Sequence, residues 1–211
     1  TNSGKSPMLR LLVRQYHVQE GSIIIRGQDI RTINPQALNQ LFGIVFQNDF
    51  LFGGTVRKNV DFGRGLSDES IRVATEHAQA SIFLDEKEGE LDFILASKGV
   101  NLSGGEKQRL LLSRALAGAP EILVLDDASS ALDFRTDAKL RQALRDHYGA
   151  TTSLVIAQRV SSVRHADRII FMENGRISAM GNHETMMKES HKYREIAEMQ
   201  MGEWRGSEAI A

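Results

Sequence analysis

Apolar positions recur along the chain in two rhythms, one suited to helices and one to buried strands. Residues 8–14 (MLRLLVR) read as a helix, and Gly21 opens a strand, SIIIRGQDI, with a turn at Gly27-Gln28-Asp29. Residues 41–47 (LFGIVFQ) form a second apolar strand that ends in an amide. Residues 67–114 read as helices: Ser67 with Ser70 suits an N-terminal cap, and Ile71, Ala74 and Ala78 share one helical face. Apolar pieces at 82–84 and 91–95 flank the charged run 85–90, expected as solvated surface. Ile122, Leu123, Val124 and Leu125 then make a buried-strand run that stops at two carboxylates, Asp126 and Asp127. Residues 134–148 form an amphipathic helix with Leu140 and Leu144 inward, and residues 153–157 (SLVIA) another buried strand. Residues 168–172 and 176–180 pair as a hairpin across Glu173-Asn174-Gly175, and residues 182–201 form one or two amphipathic helices.

Composition narrows the function without choosing it. With 211 residues and 41% hydrophobic content the chain can bury a sizeable core, as one domain with a subdomain. A formal net charge of −1 leaves no basic footprint, so no nucleic-acid partner is expected. Cysteine is absent, which removes disulfides and thiol chemistry. No apolar run approaches a membrane-spanning length, and the start carries no signal-peptide pattern. The six histidines show no metal-ligand spacing; His183 and His191 read as surface residues. Methionines 186, 187, 199 and 201 read as packing.

Two stretches carry phosphate chemistry. Ser103-Gly104-Gly105 opens a helix, exposing backbone N–H groups and the positive end of its dipole, which suits an anion. The start, Thr1-Asn2-Ser3-Gly4-Lys5-Ser6, matches the second half of the phosphate loop G-x-x-x-x-G-K-[ST], whose first glycine would lie upstream of residue 1. There Gly4 permits close backbone approach, Lys5 is a point charge for the β- and γ-phosphates, and the Ser6 hydroxyl can ligate Mg²⁺. Pro7 is tolerable in a first helical turn, where its missing N–H would be unpaired. Carboxylates at the end of a buried parallel strand stand where ligands of open α/β sheets sit.

The order of these features resembles the ATP-binding cassette (ABC) ATPases. LSGGE at 102–106 corresponds to the signature, ILVLDD at 122–127 to the Walker B strand, and SALD at 130–133 to the D-loop. The resemblance implies a P-loop NTPase (RecA-like) α/β fold, a mostly parallel sheet core with a helical signature subdomain. It implies a partial P-loop core at 1–47, the Q-loop and helical subdomain at 48–114, a Walker B, D-loop and switch core at 115–181, and C-terminal helices at 182–211. It also implies a chain cut within the P-loop. Gln47 resembles the Q-loop glutamine that reaches Mg²⁺ and the lytic water. Residues 48–60 (NDFLFGGTVRKNV) resemble the exporter pattern met where the cassette touches the transmembrane domain, with Phe50, Leu51 and Phe52 lining a groove.

By this resemblance ATP and Mg²⁺ are the cofactors. Asn2, Ser3, Gly4, Lys5, Ser6, Gln47 and Asp126 hold the nucleotide, with Ser6, Gln47 and Asp126 on the metal. Ser103, Gly104, Gly105, Glu106 and Asp133 serve nucleotide at the interface with a second cassette. Several positions depart from the family pattern: Asn2 stands for a glycine, Pro7 for a threonine, Glu106 for a glutamine and Ser97 for a glutamate. In the catalytic set Asp127 stands for a glutamate one methylene longer and Gln158 for a histidine, beside Gln47. Glutamine carries no cation and does not titrate near neutrality. The combination resembles the degenerate-site subunit of heterodimeric ABC exporters: an ATPase at the cytoplasmic face of the membrane whose own site hydrolyses slowly. The alternative is an essentially non-hydrolysing, nucleotide-gated dimerisation module. A cassette ATPase acting on nucleic acid would want a coiled-coil insert between Gln47 and Ser103, or basic surfaces, and has neither.

Overall fold

The structure, a computed structural model, describes residues 5–208, with the side chains of Ser6 and of residues 201–208 outside the description. It divides into two compact units, residues 24–155 and residues 1–23 with 156–211. The second unit opens with α1 (Lys5–Leu12), which carries Pro7 in its first turn and buries Leu9 fully.

The larger unit starts with a tight hairpin of β1 (Ile24–Ile25) and β2 (Gln28–Asp29), pairing Ile24 with Asp29 and Ile25 with Gln28. Both central residues are left-handed, Arg26 at φ 52° and Gly27 at φ 77°, the geometry that matches strand twist in two-residue turns. The expected single strand SIIIRGQDI is thus two, folded one residue earlier than the expected turn. Asn34 caps α2 (Pro35–Gln40), and Pro35 takes the first helical position, where no N–H is needed. After β3 (Phe42–Val45) come β4 (Gly54–Thr55), α3 (Val56–Asp61), α4 (Asp68–His77), α5 (Ser81–Leu84), β5 (Ile94–Leu95) and α6 (Gly104–Leu116). β4 pairs antiparallel with β5. Ser67 caps α4, its hydroxyl accepting from the Ser70 N–H, as the spacing predicted.

β6 (Ile122–Asp126) then runs parallel to β3, and after α7 (Phe134–His147) the strand β7 (Thr152–Ile156) completes the order β3-β6-β7. The expected α/β alternation with a parallel sheet is therefore present. One expectation fails: β7 is not a buried strand. Thr152, Ser153 and Val155 are exposed, and among the described residues β7 pairs with β6 alone in this sheet.

The core of this unit is built around α6. Leu110, Leu112 and Leu116 are buried there with Val45, Leu123 and Leu125 of the sheet and with Val56, Val60, Ile71 and Ala74 of α3 and α4. Each such leucine contributes about 1.5–3 kcal/mol by leaving water. The sheet meets α6 at Gly43, where a Cβ would lie 2.0 Å from the Ala115 carbonyl oxygen, so only hydrogen fits.

In the smaller unit α8 (Val160–Val163) is followed by the hairpin β8 (Ile169–Glu173) and β9 (Arg176–Gly181), pairing Glu173 with Arg176 across Asn174 and Gly175, both left-handed. Asn182 caps α9 (His183–Glu189), and α10 (His191–Glu208) ends the described chain. Val160, Ile169, Met186, Tyr193 and Ala197 form its core. His191 is exposed, as expected. His183 is not a plain surface residue: it is half-buried, and its Nδ1 lies 2.8 Å from the Tyr193 hydroxyl.

Candidate nucleotide-binding site

Parallel pairing of β3 with β6 brings two predicted groups to one sheet edge. The register ends at Val45 opposite Leu125, so the next residues on the two strands are Phe46 and Asp126, then Gln47 and Asp127. Asp126 is buried, 5% exposed, while Gln47 is exposed. A carboxylate and an amide at the carboxyl edge of parallel strands are hard oxygen donors, so this pair fits a magnesium nucleotide. Asp127 adopts a left-handed conformation, φ 54°, which short polar side chains such as aspartate tolerate best. Its carbonyl accepts from the Ser130 N–H at 3.3 Å and the Ser130 hydroxyl at 2.9 Å, folding the following turn back on the strand end.

The signature turn is a complete helix cap. The Ser103 hydroxyl accepts from the Glu106 N–H at 3.2 Å, and the Glu106 carboxylate accepts from the Ser103 N–H at 2.7 Å. This reciprocal pair fixes the start of a thirteen-residue helix and leaves Ser103 and Gly104 exposed. Burial pushes the Glu106 carboxyl up, but bonds from Ser103 and the Lys87 cation outweigh it, so its pKa lies below the ordinary value. A Cβ at Gly105 would stand 3.4 Å from the Ala131 carbonyl oxygen. Signature and D-loop therefore adjoin. Asp133 ends that loop as the cap of α7, its carboxylate accepting from the Thr136 N–H at 2.9 Å and hydroxyl at 2.7 Å, which holds its pKa low.

A polar network ties the 50–52 loop to α6. Arg114, 8% exposed, donates from Nε to the Asn59 carbonyl (2.9 Å), from Nη1 to the Phe50 carbonyl (3.0 Å) and from Nη2 to Asn59 Oδ1 (3.1 Å). Asn59 in turn receives the Phe52 N–H at 2.8 Å and donates to the Phe52 and Thr55 carbonyls. Burial lowers the Arg114 pKa, Asp49 opposing, yet a guanidinium stays charged. Above it lie Phe50, Phe52 and Phe62, each about half exposed, with Phe52 in contact with both others. Leu51, expected beside them in the groove, is instead fully buried. Arg64 completes the joint by donating to the Arg114 and Ala117 carbonyls at the end of α6 and to the Val60 carbonyl of α3. Sequence reasoning singled out neither arginine, and quoted Asn59 only within the exporter-like stretch 48–60; for Arg114 a cation in the last turn of an apolar helix was the available signal.

Lys5 and Gln158 belong to the smaller unit. Lys5 is the first residue of α1; Asn2, Ser3, Gly4 and the Ser6 side chain lie outside the described residues. Gln158 is exposed two residues past β7. Its carbonyl accepts from Gln200 Nε2 at 3.0 Å, and Gln200 Oε1 receives the Val160 N–H at 2.7 Å, so α10 holds that loop from both sides.

Comparison with known proteins agrees with the α/β fold. The family profile described as ABC transporter matches residues 1–130. The chain is 37% identical over 201 residues to YknU, an uncharacterized ABC transporter ATP-binding protein of Bacillus subtilis, covering 95% of this chain and 34% of that protein. It is 38% identical over 201 residues to NdvA, a beta-(1-->2)glucan export ATP-binding/permease protein of Rhodopseudomonas palustris, covering 95% and 33%. Among solved structures, a bacterial Atm1-family ABC exporter with ATP bound superposes with a TM-score of 0.89 at 34% identity, covering 94% of this chain and 35% of that one. The chain spans about a third of the length of these relatives. With the profile match and the parallel-sheet fold in agreement, the chain belongs to the ABC transporter family, as an ATP-binding domain.

Proposed function

We propose that this domain binds MgATP and closes on a second cassette to power export through a transmembrane domain, at the cytoplasmic face of the membrane. The observation that carries the reading is the exposed, fully capped Ser103–Gly104 helix start beside the D-loop, in the unit that also sets Asp126 and Gln47 on one sheet edge. A surface of N–H donors turned outward serves a nucleotide held by a facing cassette. The half-exposed Phe50, Phe52 and Phe62, braced by Arg114, suit docking of the transmembrane domain. The relatives support export as the class: NdvA is named for glucan export, and the superposed structure is an exporter. In this reading residues 1–47, 48–114, 115–181 and 182–211 divide the work as P-loop core, signature subdomain, Walker B and switch core, and C-terminal helices.

By the family resemblance, Lys5 would pair with phosphate charge, and Ser6, Gln47 and Asp126 would hold the metal. By the same resemblance Asn2, Ser3 and Gly4 would serve the phosphates, and Ser103, Gly104, Gly105, Glu106 and Asp133 would serve the nucleotide of the partner. Magnesium, when bound, neutralises the phosphates and keeps the terminal phosphoryl in line for attack. Asp127 and Gln158 orient water. A positioned general base is worth roughly 10²–10⁴ in rate, and retracting it by about 1 Å costs on the order of 10². Asp127 is one methylene short, and Gln158 carries no cation, so this site holds ATP and turns it over slowly. The partner of such a chain is a different subunit that supplies a competent P-loop and Walker B.

The test is ATP turnover by the purified protein alone and with its partner cassette, for wild type and for Asp127→Glu with Gln158→His. A slow site predicts low turnover alone, and a rise of at least about tenfold in the double variant. Brisk hydrolysis by the wild-type chain alone, or no gain on reversion, overturns the slow-site assignment. No hydrolysis on adding the partner, with ATP-dependent dimerisation retained, would select the non-hydrolysing module.

A further inference from the structure

The charged loop 85–90 has one member turned inward. Its other residues are exposed, but the Lys87 side chain is 30% exposed, its Nζ 5.7 Å from the centre of the Phe93 ring and 3.6 Å from Glu106 Oε1. Glu106 is 17% exposed, and its Oε2 accepts the Ser103 N–H. The start of α6 therefore carries a full carboxylate beside the first-turn N–H groups of Gly104 and Gly105, and a cation from a separate loop lies against it. For the helix alone the carboxylate is favourable, since it caps Ser103 and opposes the positive dipole end. For an anion approaching those N–H groups it is unfavourable, a like charge within a few ångströms.

We propose that Lys87 is a positioning residue of the signature turn, holding Glu106 in its capping geometry and cancelling its field so that a triphosphate on the facing cassette can dock. This rests on the reading that the signature closes over a partner's nucleotide. Lys87 itself touches no nucleotide. Its role is electrostatic: a uncompensated unit charge about 6 Å from a phosphate, at a dielectric between half that of water and that of water, corresponds to about three- to tenfold in affinity. The effect shrinks in salt, because the loop is open to solvent.

The experiment uses the full transporter with both cassettes in lipid. Turnover is measured against ATP concentration for wild type, Lys87→Met, Glu106→Gln and the pair together, at low and high salt. Lys87→Met is expected to raise the KM for ATP about three- to tenfold at low salt, with kcat within about twofold and a smaller effect at high salt. In the Glu106→Gln background a smaller rise is expected, because the carboxylate that Lys87 holds in its capping geometry is gone while the direct field of the cation at the phosphate is the same in both backgrounds. An unmoved KM in Lys87→Met overturns the proposal, as does an equal rise in both backgrounds, which would mean that the cation acts on the nucleotide directly or through packing on Phe93, and not through Glu106. Gly104→Asp separates the two levels of inference. A Cβ there meets nothing within 4 Å, and aspartate suits a first helical turn, so the helix keeps its start while a negative charge enters the docking face. If Gly104→Asp leaves ATP dependence intact, the signature reading falls and the role of Lys87 falls with it. If it impairs turnover while Lys87→Met changes nothing, only the role of Lys87 falls.

Discussion

Replacing Arg114 by Met tests whether the exposed aromatic loop is held by the signature helix. Three charged hydrogen bonds are lost, to the Asn59 carbonyl, the Phe50 carbonyl and Asn59 Oδ1. Asn59 Oδ1 keeps a partner in the Phe52 N–H, so the buried Asn59 carbonyl and the part-buried Phe50 carbonyl are the groups left short, worth about 1–3 kcal/mol where fully buried. Methionine retains most of the apolar contact with Phe52 and Phe62 and removes the desolvation cost of the cation, which offsets part of this. The expected net loss is about 3 kcal/mol, a substantial share of the ~5–15 kcal/mol of an ordinary domain. At this chain length that is roughly 6–12 °C in Tm. Urea unfolding followed by circular dichroism gives the first number. Limited proteolysis gives the second readout, with cleavage expected to rise between residues 47 and 62, where the loop is tied to α6 through Arg114. Arg114→Lys is expected to recover only part of the loss, because one ammonium cannot span the three acceptors of the planar fork. A change below about 1 kcal/mol, or a stabilisation of the kind seen when buried ion pairs are replaced by apolar groups, would refute the anchoring argument.

Two further outcomes follow from the same unit. Gly43→Ala places a methyl within 2.0 Å of the Ala115 carbonyl oxygen and 2.9 Å of Pro120; β3 must move off α6, and a loss of about 3 kcal/mol or more in urea unfolding is expected, a near-neutral result being incompatible with this packing. His77 stacks on His147 at 3.9 Å and its Nδ1 lies 3.2 Å from the Tyr148 hydroxyl; burial and the neighbouring His147 push its pKa down, Glu76 opposing. The unfolded chain then binds the proton first as pH falls, so this contribution to stability is intact above about pH 6.5 and declines below it. His77→Gln is expected to flatten that decline in urea midpoints measured from about pH 7.5 to about pH 5, and an unchanged slope would show that another group carries it.

Much of the site was legible because its chemistry depends on local order. Ser103-Gly104-Gly105-Glu106 contains its own cap, so four consecutive residues suffice to start the helix and expose its N–H groups. An apolar run ending at Asp126 announces a buried strand and its carboxylate together, and β6 runs to that residue. Helix starts at Ser67 and Asn182, and the hairpin across Asn174-Gly175, are equally local.

What the sequence by itself determined, then, is the family, the principal strands and capped helices, and the residue types offered to a phosphate. Only the tertiary structure decided who stands beside whom across long separations. Arg114 meets Phe50 and Asn59 from more than fifty residues away, and Lys87 reaches Glu106 from another loop. Gly43 is confined by the backbone of α6, and Thr152, Ser153 and Val155 of β7 are exposed although the composition of that strand reads as buried. The physical reason is one of range. Caps and turns are made by hydrogen bonds between near neighbours in the chain, whereas burial, ion pairing and close approach depend on which surfaces packing brings together.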